Sequence, residues 1–210
     1  MALSDFFSNL HLFVRWFHVF AGIVWIGHLY FFNFVNVQLQ ATLDDATKKA
    51  VNPQLMPRAL WWFRWGAMGT FLSGLALFTM VYMYQPGLWG PTAFFSDSTG
   101  MTGRAWWILI GMLLASIMWF NVWFVIWPTQ KKILGLGVPK AAPELLPLLR
   151  ARAGLFSKIN TFLSGPMLFG MLAASHYGAI NFPTFLVFAA IALSLIWTFF
   201  RLSHRVARVS

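Results

Sequence analysis

The sequence predicts an all-α fold, a polytopic membrane bundle of five transmembrane helices, and three observations carry that prediction. Hydrophobic residues make up 59% of the chain and charged residues only 10%, too apolar a mix for a water-soluble domain. The apolar residues gather into runs at about 9–37, 59–84, 104–127, 153–177 and 182–202, each near or beyond the roughly 20 residues that cross a hydrocarbon core. The basic residues fall between the runs and mostly on one side, which is how loops set orientation.

Each run is expected to be a helix, because a helix satisfies its own backbone where no water is available. The first is long enough to tilt or to extend into the headgroups. Pro53 and Pro57 punctuate the loop before the second, Pro86-Gly87 and Gly90-Pro91 follow it, and Pro128 closes the third. Asn181 and Pro183 form a start signal for the fifth, with Asn at or near the cap and Pro in the first turn. The stretch 140–152, with Pro143, Glu144, Pro147 and two Arg, is expected to lie along the cytoplasmic surface as a short interfacial helix. Residues 1–210 form one membrane domain without an internal repeat.

Five crossings put the loops at 38–58 and 128–152, the adjoining helix starts and the C-terminal tail on one face. That face holds all of the 15 Lys and Arg except Arg15 and Arg104. The N-terminus is therefore expected in the periplasm and the C-terminus in the cytoplasm, with the chain in a bacterial inner membrane. A net charge of +10 points to nucleic acid in a soluble protein. Here it lies in short loops beside apolar runs, so the expected partner is the lipid bilayer and not nucleic acid. No basic run precedes an apolar core with a small-residue cleavage site, so no signal peptide is expected.

The chain has no Cys, which excludes disulfides, covalent c-type haem attachment, iron–sulfur clusters and thiolate catalysis within it. A metal or haem must be held by His, Met or Asn. Ionisable groups inside a membrane are functional candidates by default. His18 lies about two turns into the first span, and His176 ends the fourth on the same side, so the two can reach one depth. Two neutral imidazoles on facing helices are what a six-coordinate haem b requires. Gly22, one turn inward from His18, offers room for a flat macrocycle, and Arg15, one turn outward, offers a cation for a propionate. The competing reading has His18 and His176 bonding neighbouring carbonyls while Arg15 snorkels. His11 continues the His18 stripe, as a surface residue or an alternative ligand, and His204 belongs to the basic tail.

A second polar layer comprises His28, Asn33 and Asn36 in the first span, Asn121 in the third and Asn160 in the fourth. Antiparallel helices bring these to similar depths. Such a layer offers donors and acceptors to a planar polar heterocycle, making His28, Asn33, Asn121 and Asn160 substrate candidates, or it ties helices together. Gly66, Gly69, Ser73 and Gly74 in the second span, with Gly165 and Gly170 in the fourth, permit close helix approach. No carboxylate pair, Ser-His-Asp arrangement or phosphate-binding glycine loop occurs within the spans, and catalytic residues are not assigned.

Four stretches together resemble one family. They read RWFHVFAGIVWIGHLYFFNFVN from Arg15, LWWFRWGAMGTFLSGLALF from Leu60, FNVWFVIWPTQKK from Phe120 and INTFLSGPMLFGMLAASHYG from Ile159. This is similar to the urate oxidase N-terminal type, the membrane domain of bacterial urate hydroxylases coupled to cytochrome c. The first stretch also resembles haem-binding membrane proteins of the protoporphyrinogen oxidase type. The main resemblance implies oxidation chemistry at the membrane with electrons handed to a periplasmic cytochrome c. Its motif residues here are His18, Trp25, Asn33, Asn121, Trp127, Asn160 and His176. The complete enzymes of that type carry further helices and a cytochrome c domain, whereas this sequence has no Cys-x-x-Cys-His after the fifth span. The expected function is thus an integral-membrane redox protein of that type, an electron-transfer unit or oxidoreductase. The alternative is a non-catalytic accessory or assembly subunit among other membrane chains. A small transporter is disfavoured, because five spans without repeat symmetry give little basis for alternating access.

Overall fold

A computed structural model describes residues 5–85, 87–95 and 101–206. Pro86, Arg208 and the side chain of Arg104, all used above, lie outside the described residues. The described chain is almost wholly helical, in the order α1 Phe6–Tyr30, a π-helical segment π1 Phe31–Asn36, α2 Val37–Thr42 and α3 Asp45–Tyr82. A two-stranded antiparallel hairpin, β1 Tyr84–Gln85 with β2 Leu88–Trp89, then leads to α4 Pro91–Phe95. Next come α5 Met101–Phe120, a second π segment π2 Asn121–Ile126, α6 Trp127–Leu134, α7 Leu146–Ala173 and α8 Phe182–Val206.

Among the described residues four helical stretches are long and apolar enough to cross a membrane: Phe6–Thr42, Asp45–Tyr82, Ala105–Leu134 and Phe182–Val206. The fourth expected span, α7, has the length but carries Arg150, Arg152, Lys158, Asn160 and a row of Ser and Thr, which lowers its hydropathy below that of the others.

Several expected boundaries move. The loop at 38–58 is almost entirely helical. Asp44 caps α3 by accepting from the Thr47 N–H at 2.9 Å and the Thr47 hydroxyl at 2.7 Å, and α3 runs through Pro53 and Pro57. Each proline removes one intrahelical bond. Here both fall in the polar part of the helix, before Ala59, where water can donate to the carbonyl that each proline leaves unpaired. The α2–α3 turn is clamped by a reciprocal amide pair between Gln40 and Asn52 at 2.8 and 2.9 Å. Pro128 does not close the third helix, because it sits in the first turn of α6, directly after π2. The chain instead stops at Gly135, left-handed at φ 73°, whose N–H bonds the Lys131 carbonyl at 2.8 Å, an arrangement that glycine adopts without steric penalty. The stretch 140–152 forms no separate helix: a 3₁₀ turn at Pro143–Leu145 runs directly into α7. Asn181 does cap α8, accepting from the Thr184 N–H at 3.1 Å.

Packing follows the small residues. α1 lies along α3, and a Cβ on Gly66 would stand 3.0 Å from the Trp25 N and 3.3 Å from the Ala21 carbonyl oxygen. α5 and α7 cross where Gly111 meets Gly170, backbone against backbone. The main core joins Trp25, Leu29 and Phe32 to Leu60, Phe63 and Ala67, and to Met118, Val122, Ile126 and Met167. α8 packs mainly on α7 and π1. Phe34 sets its ring against Phe200 at 5.0 Å.

Candidate functional site

His18 projects from α1 onto α3. Its Nδ1 lies 3.0 Å from the Thr70 carbonyl oxygen and 3.1 Å from the Ser73 hydroxyl. The Ser73 hydroxyl itself donates to the Gly69 carbonyl at 2.6 Å. A carbonyl only accepts, so the hydrogen sits on Nδ1, and Nε2 keeps its lone pair. Nε2 makes no hydrogen bond among the described residues. This is the arrangement in which metal-ligating histidines are held, the far nitrogen donating to a carbonyl while the near one faces the ligand site. Beside it an apolar groove of about 490 Å³ runs between α1 and α3, lined by Phe13, Val14, Phe17, Gly69, Leu72 and Ser73 among others.

His18 and His176 stand in different surroundings. His18 is packed on α3, with its Cε1 3.0 Å from where a Cβ on Gly74 would stand. His176 lies exposed in the turn after α7, its N–H bonding the Ala173 carbonyl at 3.0 Å. No contact joins the two rings. His18 thus presents an Nε2 without a protein partner among the described residues, and the His176 ring stands exposed. Gly22 looks toward Thr70, whose side chain would be 3.9 Å from an added Cβ, so its space belongs to the α1–α3 contact. The Arg15 guanidinium reaches His11 at 3.2 Å. Among the described residues no group of three or more His, Cys, Asp or Glu is placed to hold a metal ion.

The second polar layer is a buried network centred on α7. Ser157, Asn160, Thr161 and Ser164 share one face by their three- and four-residue spacing. Asn160, Thr161 and Ser164 are fully buried. The Asn121 amide donates to the Asn160 oxygen at 2.8 Å, and the Asn160 amide donates to the Met118 carbonyl at 2.9 Å. The Asn33 amide donates to the Leu29 carbonyl at 2.9 Å and to the Ser157 hydroxyl at 2.8 Å. The Ser164 hydroxyl donates to the Thr161 carbonyl at 2.7 Å, so the Tyr30 hydroxyl, 2.9 Å away, donates to Ser164.

Both π segments begin beside this network. A π turn widens the helix and disturbs its regular bonding, and the carbonyls just upstream, Leu29 and Met118, each receive a side-chain amide. Asn121 and Asn160 thus bond each other and the Met118 carbonyl, and Asn33 reaches the same face of α7 through Ser157. Asn36 lies apart, its amide 3.8 Å from the Met56 sulfur. His28 turns to its own helix, Nδ1 to the Val24 carbonyl at 2.7 Å, and bonds none of the asparagines.

Thr70 and Ser73, which orient His18, and Tyr30, Ser157, Thr161 and Ser164, which complete the network, were not among the sequence-derived candidates. The α7 quartet was visible as a polar stripe at helical spacing inside an apolar run. Thr70 and Ser73 were flagged only by the small residues around them.

A family model described as urate oxidase N-terminal matches the chain over residues 43–89 and 88–209. The matched residues include α3, the π2 segment, α7 and α8 and begin just after α2. No curated protein and no solved structure matches the chain.

Proposed function

Because this chain belongs to the urate oxidase N-terminal family, we propose that it is a membrane-embedded redox unit of the urate hydroxylase type. In this reading five helices cross a bacterial inner membrane, with the N-terminus periplasmic and the C-terminus cytoplasmic. The fifth crossing is α7. Its length and its place against both α5 and α8 support this, because its buried polar stripe is turned inward where lipid does not meet it.

The observation that carries the redox reading is the orientation of His18. The Thr70 carbonyl and the Ser73 hydroxyl fix its tautomer and aim, leaving the Nε2 lone pair free on a helix pair flanked by an apolar groove. We assign His18 as the residue that would hold a b-type haem. Such a haem supplies one-electron transfer, here toward a periplasmic cytochrome c. The residues of the chain would hold such a group through His18, which Thr70 and Ser73 orient, with the apolar Phe13, Val14 and Phe17 of α1 lining the neighbouring groove. The side-chain network through Asn33, Asn121 and Asn160 ties π1 and π2 to α7.

Reduced-minus-oxidised visible spectra of the detergent-purified chain test this assignment. Haem b bands are expected in the wild type and in His176→Ala, and their loss in His18→Ala. A colourless, folded wild type would remove the haem. Urate-dependent reduction of added cytochrome c tests the substrate class, and no reduction with any purine would remove it.

One observation favours the second reading, an accessory subunit of a larger respiratory or oxidase complex. Of the 25 residues of α8, Ile196 is the one that is buried. A groove of about 460 Å³ also lies open between π1–α2 and α8, with Phe34, Leu39, Phe199 and Leu202 on its walls. Copurification of further membrane chains in mild detergent, lost on deletion of α8, is the outcome this reading expects.

A further inference from the structure

We propose that Arg64 and Lys131, gathered on the indole of Trp127, bind the phosphate of an anionic phospholipid. The Arg64 guanidinium carbon lies 3.8 Å from the Trp127 ring centroid and 6.0 Å from that of Trp123. The Lys131 ammonium lies 5.8 Å from the same Trp127 ring. Stacking occupies a face of the guanidinium and leaves its N–H donors in the plane. The Arg64 Nε is buried without a hydrogen-bond partner. Among the described residues Arg64 makes no hydrogen bond, and the ion pair found is Lys48 with Asp45. Two cations therefore converge on one ring with no carboxylate between them.

Their place in the chain says what supplies the missing acceptor. α3 is polar up to Arg58 and apolar from Ala59 onward, and α6 ends at Gly135 with Lys131 and Lys132 in its last turn. Arg64 thus lies about 7.5 Å inside the start of the apolar part of α3 and Lys131 in the last turn of α6, with Trp61, Trp62 and Trp65 exposed beside Arg64, as an aromatic belt is at headgroup level. At that depth the abundant anionic acceptor is lipid phosphate. A guanidinium matches its oxygens in a fork, and an ammonium adds a second point charge. A simple snorkelling arginine carries its head out to water, whereas this one lies back on indole with Nε sealed from solvent.

The test uses the full chain, stripped of lipid in neutral detergent, and follows its thermal unfolding while phosphatidylglycerol, phosphatidylcholine or inorganic phosphate is added. Arg64→Gln and Lys131→Gln are compared with Arg201→Gln, whose guanidinium also stacks on an indole, Trp197 at 3.9 Å, but on exposed α8. Phosphatidylglycerol is expected to stabilise the wild type and Arg201→Gln in a saturable way, with apparent affinity about tenfold or more weaker in Arg64→Gln and Lys131→Gln, the scale of one lost charge-assisted bond. If Arg64→Gln does not fold, Lys131→Gln decides. Equal phosphatidylglycerol response in wild type and Lys131→Gln overturns the site. Equal stabilisation by inorganic phosphate overturns the lipid as its ligand, and equal stabilisation by phosphatidylcholine overturns selectivity for anionic lipid.

Discussion

Replacing Gly170 by Ala probes the close crossing of α5 and α7. A Cβ at this position would stand 2.9 Å from the Gly111 N, 3.0 Å from the Gly111 Cα and 3.1 Å from the Trp107 carbonyl oxygen. All three are backbone atoms of α5, so no side chain can rotate away. Carbon contacts rest near 3.5–4.0 Å, so α5 must retreat from α7 by roughly 0.5–1 Å. A gap of that size forfeits about a quarter to a half of each pairwise attraction along the crossing, and overpacked sites lose about 1–3 kcal/mol. Alanine returns at most about 1 kcal/mol through helix propensity. A control lies on the same helix: Gly154 is exposed, and nothing stands within 4 Å of its added Cβ. There the same substitution keeps the propensity gain without the clash. Unfolding in detergent, followed by tryptophan fluorescence against temperature, should show Gly170→Ala melting lower by about 2–4 °C per kcal/mol lost, and Gly154→Ala at or above wild type. A Gly170→Ala protein as stable as wild type would refute the crossing and the reasoning built on it.

Three further outcomes are expected. Asn160→Ala removes both the bond from Asn121 and the bond to Met118 and should destabilise by about 1–3 kcal/mol, read from the same melting curves; an unchanged midpoint would mean the network contributes nothing. Gly135→Ala places a Cβ at φ 73°, a cost of about 1 kcal/mol, and should increase amide exchange in the last turn of α6, measured by mass spectrometry. The Asp44 carboxyl is held below the ordinary carboxylate range, first by the Thr47 hydroxyl and then by the Thr47 N–H. A depressed pKa means that its capping contribution is present above the ordinary value near 3.9 and is lost as pH falls through the lower folded value. The protection factor over residues 45–48, hydrogen exchange taken relative to the intrinsic rate at each pH, should therefore fall in acid for the wild type and be low at every pH in Asp44→Ala.

The helices were legible because hydropathy marks them, but hydropathy marks where a helix sits in apolar surroundings and not where it ends. Residues 45–58 are polar and carry two prolines, so they read as a loop, yet the Asp44 cap and the Gln40–Asn52 clamp hold them helical. Pro128 read as a stop, but the helix is continuous over Ala105–Leu134, and Pro128 falls directly after the π turn, where the regular bonding ladder is already disturbed. For the site, counting residues along each helix gives depth and leaves azimuth undetermined. Depth alone put His18 level with His176; the face His18 presents was decided by Gly66 and Gly69, which bring α3 close against Ala21 and Phe17. The asparagines were legible as a layer, since depth suffices for that. Their mutual bonding was not, because it depends on two π turns that no local residue preference announces.

Those π turns also let one helix serve different neighbours along its length. Each i→i+5 turn takes up an additional residue, so the side chains beyond it are rotated relative to an uninterrupted α-helix. In π1 Phe32 turns its edge to Phe63 of α3 at 5.4 Å, while Phe34, two residues on, reaches Phe199 and Phe200 of α8. Shortening this stretch by a single position would not merely trim a bulge. It would swing every downstream group about a quarter turn around the axis, trading the partners of the inner half for those of the outer one.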